Sequence, residues 1–212
     1  MVKKRALAPA KKAAKPRTQR QRSDATVAAL VRAARARFAA NGYAATALDD
    51  ILTDVGMTRG ALYHHFENKA ALFRAVFEEQ QKRLAAAVSA AAGAAAARGA
   101  WPGFRAGCEA FLEACLEPAT QRILLIDAPS VLGWEAMREI ESRYVVALLR
   151  AGLQRALDAG ALAPRPVEPL ADLLMGGLAE CARSIARAKQ PRTAMLDARR
   201  ELDRLLRALA RQ

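Results

Sequence analysis

The chain has 212 residues, 53% of them hydrophobic, and a formal net charge of +13. That length holds one or two domains with an ample core, and the charge calls for an anionic partner or neighbourhood. No apolar run reaches membrane-spanning length, and Cys108, Cys115 and Cys181 are an odd number without metal spacing, which excludes a membrane protein and a disulfide scaffold.

The first 22 residues carry nine Lys or Arg and no acid, which leaves a net +4 for the remaining 190. They lack large apolar groups and predict a segment that is disordered on its own. Pro9, Lys11 and Lys12 break its only apolar stretch, so it does not read as a signal peptide. Two readings stay open. Either this is a solvated tail or an early start codon, or it is an arm whose Lys11, Lys12, Lys15, Arg17, Arg20 and Arg22 lie on DNA. A first helix is predicted over 24–40, with Val27, Leu30, Val31, Ala34 and Phe38 as its stripe and Asn41-Gly42 as its stop.

Residues 46–73, TALDDILTDVGMTRGALYHHFENKAALF, organise the rest. Thr46 suits an N-cap, with Asp49 three residues on as in a capping box, for a helix over 48–55. Gly56 ends it, and Thr58 caps a second helix that runs to about Phe66. Leu48, Ile51, Leu52 and Val55 form one apolar face, and Leu62 and Phe66 form another. The outer face of the second helix shows Arg59, Gly60, Ala61, Tyr63 and His64. Small residues beside one Arg let a backbone approach a flat surface and leave the guanidinium fork free for a base edge. This pattern predicts a helix-turn-helix with its reading helix second. Thr46, Thr58, Tyr63, His64 and Lys69 offer hydroxyl, ring N–H and ammonium donors to phosphates. His65 either joins them or packs within the domain.

DVGMTRGALYHHFENKAALF resembles the signature of the TetR family of bacterial transcriptional regulators. The match is dense over 23–77, including Gly42-Tyr43, Thr46, Ile51, Gly56, Gly60, Tyr63, His65-Phe66 and Lys69. The resemblance implies an all-helical homodimer with an N-terminal DNA-binding domain and a C-terminal ligand-sensing and dimerising domain. It also implies that Tyr63, His64 and Lys69 touch the DNA backbone while Arg59, Gly60 and Ala61 face bases. The long basic arm departs from the family pattern.

A long fourth helix is predicted from Lys69 past Val88, capped by Asn68, followed by a frayed end and a loop over the Ala- and Gly-rich 90–99. A fifth helix starts near Pro102 and ends before Pro118. Residues 122–132 predict a short apolar helix and a turn at Pro129, and 134–158 one long helix closed by Gly160. Pro164, Pro166 and Pro169 mark a rigid connection to two last helices, over 170–188 and 193–210. The expectation is an all-α chain of about nine helices: a basic arm over 1–22, a helix-turn-helix domain over 23–67 and a helical sensing and dimerising domain over 68–212.

Leu173, Gly177, Cys181, Leu202, Leu205 and Leu209 make apolar or small-residue faces on the last two helices. Either they cover the monomer core or they pair with a second copy in a four-helix bundle, and the resemblance favours the bundle. Phe104, Cys108, Phe111, Trp134, Met137, Tyr144 and Met175 are candidates to line an effector pocket, although each also suits plain core. Arg122, Asp127, Glu141, Glu180 and Arg183 are polar groups able to orient a ligand. No zinc-protease, Cys-x-x-Cys, phosphate-loop or nucleophile-elbow pattern occurs, and no cofactor is implied. The leading expectation is a cytoplasmic, dimeric repressor that binds a palindromic DNA operator, contacts no membrane and is released by an unknown small-molecule effector. The rivals are an architectural nucleic-acid protein held by its arm, without ligand control, and a carrier or enzyme that kept the fold.

Overall fold

The computed structural model describes residues 19–210, among which no helix is long and apolar enough to cross a membrane. Lys11, Lys12, Lys15 and Arg17 lie outside the described residues, as does the side chain of Arg22. The chain is all-α. The helices are α1 (Gln19–Ala45), α2 (Leu48–Val55), α3 (Arg59–Tyr63), α4 (Lys69–Ala96) and α5 (Ala100–Ala114). A continuous bent segment follows, made of α6 (Pro118–Thr120), a π-helix (Gln121–Asp127) and α7 (Ala128–Val131). The last four are α8 (Trp134–Arg143), α9 (Val145–Asp158), α10 (Val167–Arg187) and α11 (Pro191–Leu209).

Helix α1 begins at Gln19, so residues 19–22 of the expected arm are helical, with Arg20 exposed. The expected stop at Gly42 is a kink, with φ 80° and ψ 167° inside α1. The guanidinium of Arg122 lies against Gly42, on ground that a Cβ would occupy. Glycine is required there both for its dihedrals and for this close approach.

Leu30, Ala34 and Phe38 of α1 bury against Ile51, Leu52 and Leu62 of the next two helices and against Leu72, Phe73, Val76 and Phe77 of α4. Phe73 meets Phe38 and Tyr43 edge-on, with centroids 5.3 and 5.2 Å away, the geometry that ring quadrupoles favour. The first half of α4 therefore completes the N-terminal core. Its second half packs along α5, where Gly103 and Gly107 lie close to Ala92, Ala96 and Val88.

Four expectations need correction. The alanine tract is helix as far as Ala96 rather than loop, because alanine's propensity prevails once α5 packs beside it. Pro129 makes no turn; it is the second residue of α7, inside the continuous segment, and its place directly after the π-helix is where the hydrogen-bond register changes. The predicted helix over 134–158 breaks at Tyr144 (φ −121°, ψ −95°), whose phenol donates to Glu78 at 2.6 Å. Thr46 is not a cap: Ala47 holds that position, and the Thr46 hydroxyl donates back to Gly42 O at 2.7 Å.

Two polar clusters tie α1 to the C-terminal helices. Gln80, buried on α4, accepts from Arg35 Nε at 2.7 Å and donates to Thr120 Oγ1 at 2.8 Å, and Arg35 also pairs with Glu117 at 2.5 Å. Burial raises the Glu117 carboxyl, but bonds from Thr120 and Arg35 outweigh it and hold it below its ordinary range. In the second cluster, Asp127, itself buried, accepts the Tyr43 N–H at 2.8 Å and faces Arg122 Nε at 3.3 Å. Asp127→Ala should leave a half-buried N–H without its acceptor and lower unfolding stability by about 1–3 kcal/mol, whereas Asp127→Asn, which keeps an acceptor oxygen, should lose less. Urea unfolding of both variants at one protomer concentration checks this; equal losses would rule the N–H bond out as the cause.

Candidate nucleic-acid interface

The turn between α2 and α3 is set by Gly56, which closes α2 in the left-handed region at φ 64°, ψ 36°. Thr58 then accepts the Ala61 N–H at 3.3 Å and starts α3. The helix holds five residues and ends at Tyr63, shorter than the sequence suggests. Leu62 points inward and is fully buried, and Phe66 is half-buried beyond it. Thr58, Arg59, Gly60, Tyr63 and His64 are thereby left exposed as one outward row, with Ala61 half-buried beside them. Nothing lies within 4 Å of where a Gly60 Cβ would be, so this helix start offers bare backbone to an approaching surface.

Arg59 is not free. Its Nε and Nη2 donate to the two carboxylate oxygens of Asp49 on α2, at 2.7 and 2.5 Å. The hydrogen bond from Arg59 holds the Asp49 carboxyl below its ordinary range. Asp49, taken from the sequence as a capping-box residue, is instead the partner of the candidate base reader. Its carboxylate presents to the fork the paired acceptors that guanine O6 and N7 would present. A matching pair joins Arg37 of α1 to Asp54 of α2, both contacts at 2.6 Å, and fixes α2 against α1.

Lys69 is half-buried with its Nζ 4.3 Å from the centre of the Tyr43 ring. Burial lowers its pKa, and the charge of Asp127 opposes that shift. His65 is half-buried and meets the His64 ring edge-on at 5.2 Å. Thr46 does not join the row: it is 1% exposed, with its hydroxyl bonded inside the fold.

The C-terminal helices enclose a cavity of about 460 Å³ between α4, α5, α9 and α10. Of the residues chosen from sequence, Phe104, Cys108, Phe111 and Met175 line it. Trp134 does not, being 71% exposed; Met137 is buried elsewhere, and Tyr144 is directed to Glu78. Neither Arg122, Asp127, Glu141, Glu180 nor Arg183 reaches the wall. Burial pushes the Cys108 thiol up to about 12, so it faces the cavity as a neutral group. The wall also includes residues that the sequence pattern does not mark, among them Ser89, Ala92, Gly93 and Ala96 of α4 and Gly152 and Arg155 of α9. For the α4 positions the sequence signal is small residues three or four apart in the Ala- and Gly-rich tract; Gly152 and Arg155 carry none.

On α10 and α11, Leu173 is 75% exposed, Gly177 faces open space, Leu205 is exposed, and Cys181 and Leu209 are half-buried. Leu202 is 8% exposed and belongs to the protomer's own core, so it has little area left for a partner. Leu196 and Gly176 lie exposed on these helices as well.

Residues 30–76 match a family model described as bacterial regulatory proteins, tetR family. Residues 101–209 match one described as the tetracyclin repressor-like C-terminal domain. A solved TetR-family transcriptional regulator from Pectobacterium atrosepticum is 35% identical, covers 92% of this chain and 99% of its own, and superposes with a TM-score of 0.79. The Tn10 TetC protein of Escherichia coli is 25% identical over 158 residues, 74% of this chain and 79% of that protein. The probable acrEF/envCD operon repressor of Escherichia coli K12 is 45% identical over 51 residues, 24% of this chain and 23% of that one.

Removing the Asp49 carboxylate should free Arg59 for any nearby phosphate. Asp49→Ala is expected to bind random DNA more tightly, steepen the slope of log affinity against log salt by about 0.9, and lower the ratio of specific to random affinity. Fluorescence anisotropy at several salt concentrations measures all three; an unchanged slope would mean that the Asp49 carboxylate does not compete with DNA for Arg59.

Proposed function

The chain belongs to the TetR family of bacterial transcriptional regulators, non-enzymatic proteins that bind DNA and dimerise, and from that premise we propose that it is a cytoplasmic repressor released from a palindromic operator by a small-molecule effector. Residues 23–67 are the DNA-binding part and 68–212 the sensing and dimerising part. The observation that carries the reading is the exposed row on α3, with Arg59 at its start and bare backbone at Gly60. Arg59, Gly60 and Ala61 face bases in the major groove, and Thr58, Tyr63, His64 and Lys69 hold phosphates. The buried hydroxyl of Thr46 is left out of that set.

Two copies joined through α10 and α11 present two reading helices. A two-fold axis between them requires an inverted repeat with half-sites roughly 34 Å apart, or a multiple. An effector in the cavity bound more tightly at one spacing of the reading helices shifts operator occupancy by that difference in affinity and no more. The basic arm adds phosphate contacts next to α1 without reading sequence.

The test is binding to inverted repeats in the DNA flanking the coding region, compared with random DNA. Arg59→Ala should weaken binding to the repeat about ten- to a hundredfold and erase the preference, while Lys69→Ala should weaken repeat and random DNA alike. No preference for any repeat in the unaltered chain would favour an architectural protein held by its arm.

The dimer has a separate test. Gly177 faces open space on α10, so a large charged side chain there leaves the protomer core untouched. Gly177→Arg should give a folded monomer by light scattering, because a buried unpaired charge opposes pairing of the two copies. An unchanged dimer would move the interface off this face.

A further inference from the structure

We propose that the cavity takes a ligand with an apolar body and a single carboxylate head, and that Arg155 binds the head; this rests on the C-terminal part being the effector-sensing part. A volume of about 460 Å³ lies within the roughly 300–1,000 Å³ of small-molecule sites. Its inner wall is apolar and buried, with Phe104, Phe111, Leu149 and Met175 among its residues. Cys108, the titratable group on that wall, is a neutral thiol.

Glycine at position 152 of α9 lets the Phe104 ring of the cavity wall pack directly against that helix. A Cβ on Gly152 would stand 2.7 Å from Phe104 Cδ2 and would force that ring to move. One turn further along the same face of α9 stands Arg155, the one charged residue on the cavity wall among the described residues. Ser89, Gly93 and Arg155 are exposed and mark the mouth.

Arg155 differs from its neighbours in having no partner among the described residues. Arg150 of the same helix pairs with Glu168 at 2.7 Å, Arg105 of α5 pairs with Asp203, and Arg199 of α11 pairs with Glu109 at 2.5 Å. Among the described residues no acid lines the cavity to neutralise Arg155 from within. The last turn of α9 suits a cation through the helix dipole, but a dipole role does not require the cavity-facing side. An unpaired guanidinium at the mouth of an apolar slot fits a planar carboxylate at the end of an apolar body, and it repels a cationic amphiphile.

The test uses the full-length chain, isothermal titration calorimetry and three ten-carbon probes: decanoate, decanol and decyltrimethylammonium. Decanoate should bind at one per protomer and about tenfold or more tightly than decanol, although decanol is the more apolar of the two. Added salt should weaken decanoate and leave decanol unchanged. Arg155→Gln should bring decanoate down to the level of decanol. Gly93→Trp, built where a side chain meets open space, should obstruct the mouth and weaken both without disturbing the core. Equal binding of acid and alcohol by the unaltered chain, tighter binding of the ammonium probe, no binding of decanoate, or a decanoate preference that survives Arg155→Gln would each overturn the assignment. No DNA enters the measurement. A chain that binds decanoate but no operator counts against the regulator reading alone, and a chain that binds operator but no decanoate counts against the ligand class alone.

Discussion

The Asp127 carboxylate is the contact on which the junction of the two halves depends. It stands at the end of the π-helix and accepts the N–H of Tyr43, just past the kink that Gly42 puts in α1. Arg122, five residues earlier, comes within 3.3 Å of the same oxygen and lays its guanidinium across Gly42. The Tyr43 ring carries Lys69 on its face, and the charge of Asp127 opposes the loss of the Lys69 proton. One buried carboxylate therefore fixes a backbone bend, faces an arginine and supports Lys69, the lysine proposed to hold a phosphate. A π-helix has a wider turn than an α-helix and occurs often at functional positions, and here it delivers Asp127 to α1.

Rigidity at this junction has a mechanical meaning. Helix α4 is shared, its first half completing the N-terminal core and its second half forming a wall of the cavity. The Arg35–Gln80–Thr120–Glu117 cluster bolts α1 to α4 and α6 at a second point. These two points of attachment hold α1 to α4 and to the bent segment. A ligand in the cavity would touch α4, α5, α9 and α10 but not α1 to α3, so in the proposed reading α4 and these two clusters are the physical links between the cavity and α3.

How much of this was legible follows from what a sequence pattern records. Apolar side chains at helical spacing register directly, so Val27 to Phe38, Leu48 to Val55 and Leu72 to Val88 gave their helices and buried faces. The outward row Arg59-Gly60-Tyr63-His64 was equally plain, because its neighbours Leu62 and Phe66 fix which way that helix turns. Thr46 and Asp49 went wrong for one shared reason. The spacing of a capping box matches that of two unrelated local bonds, and only the fold shows that Thr46 turns back to Gly42 while Asp49 reaches across to Arg59. The break at Tyr144 had no glycine or proline to announce it; its visible correlate is a tertiary bond to Glu78. The cavity was hidden because it is made by missing side chains. Ala92, Gly93, Ala96 and Gly152 form its wall by occupying little, and a periodicity search counts what is present.

The same contrast separates the two arginines to which roles are proposed above. Both lie on exposed helix positions in a chain rich in arginine; the sequence marks Arg59 by its place at the start of a helix-turn-helix reading helix, but gives no reason to rank Arg155 above the rest. The fold ranks them by partner. Most surface arginines pair with an acid on their own or a neighbouring helix, an arrangement that neutralises charge at small net gain in water. Arg59 is paired too, but its carboxylate sits on the face proposed to meet DNA and in the bidentate geometry of a guanine edge. The pair keeps the fork extended and aligned while solvent screening keeps its hold weak, so a base edge of the same shape can take the place of Asp49. Arg155 is unpaired and faces an apolar cavity from its rim. An exposed guanidinium that meets no acid among the described residues is free to bind an anion arriving from solution, whereas a paired one would first have to give up its own carboxylate.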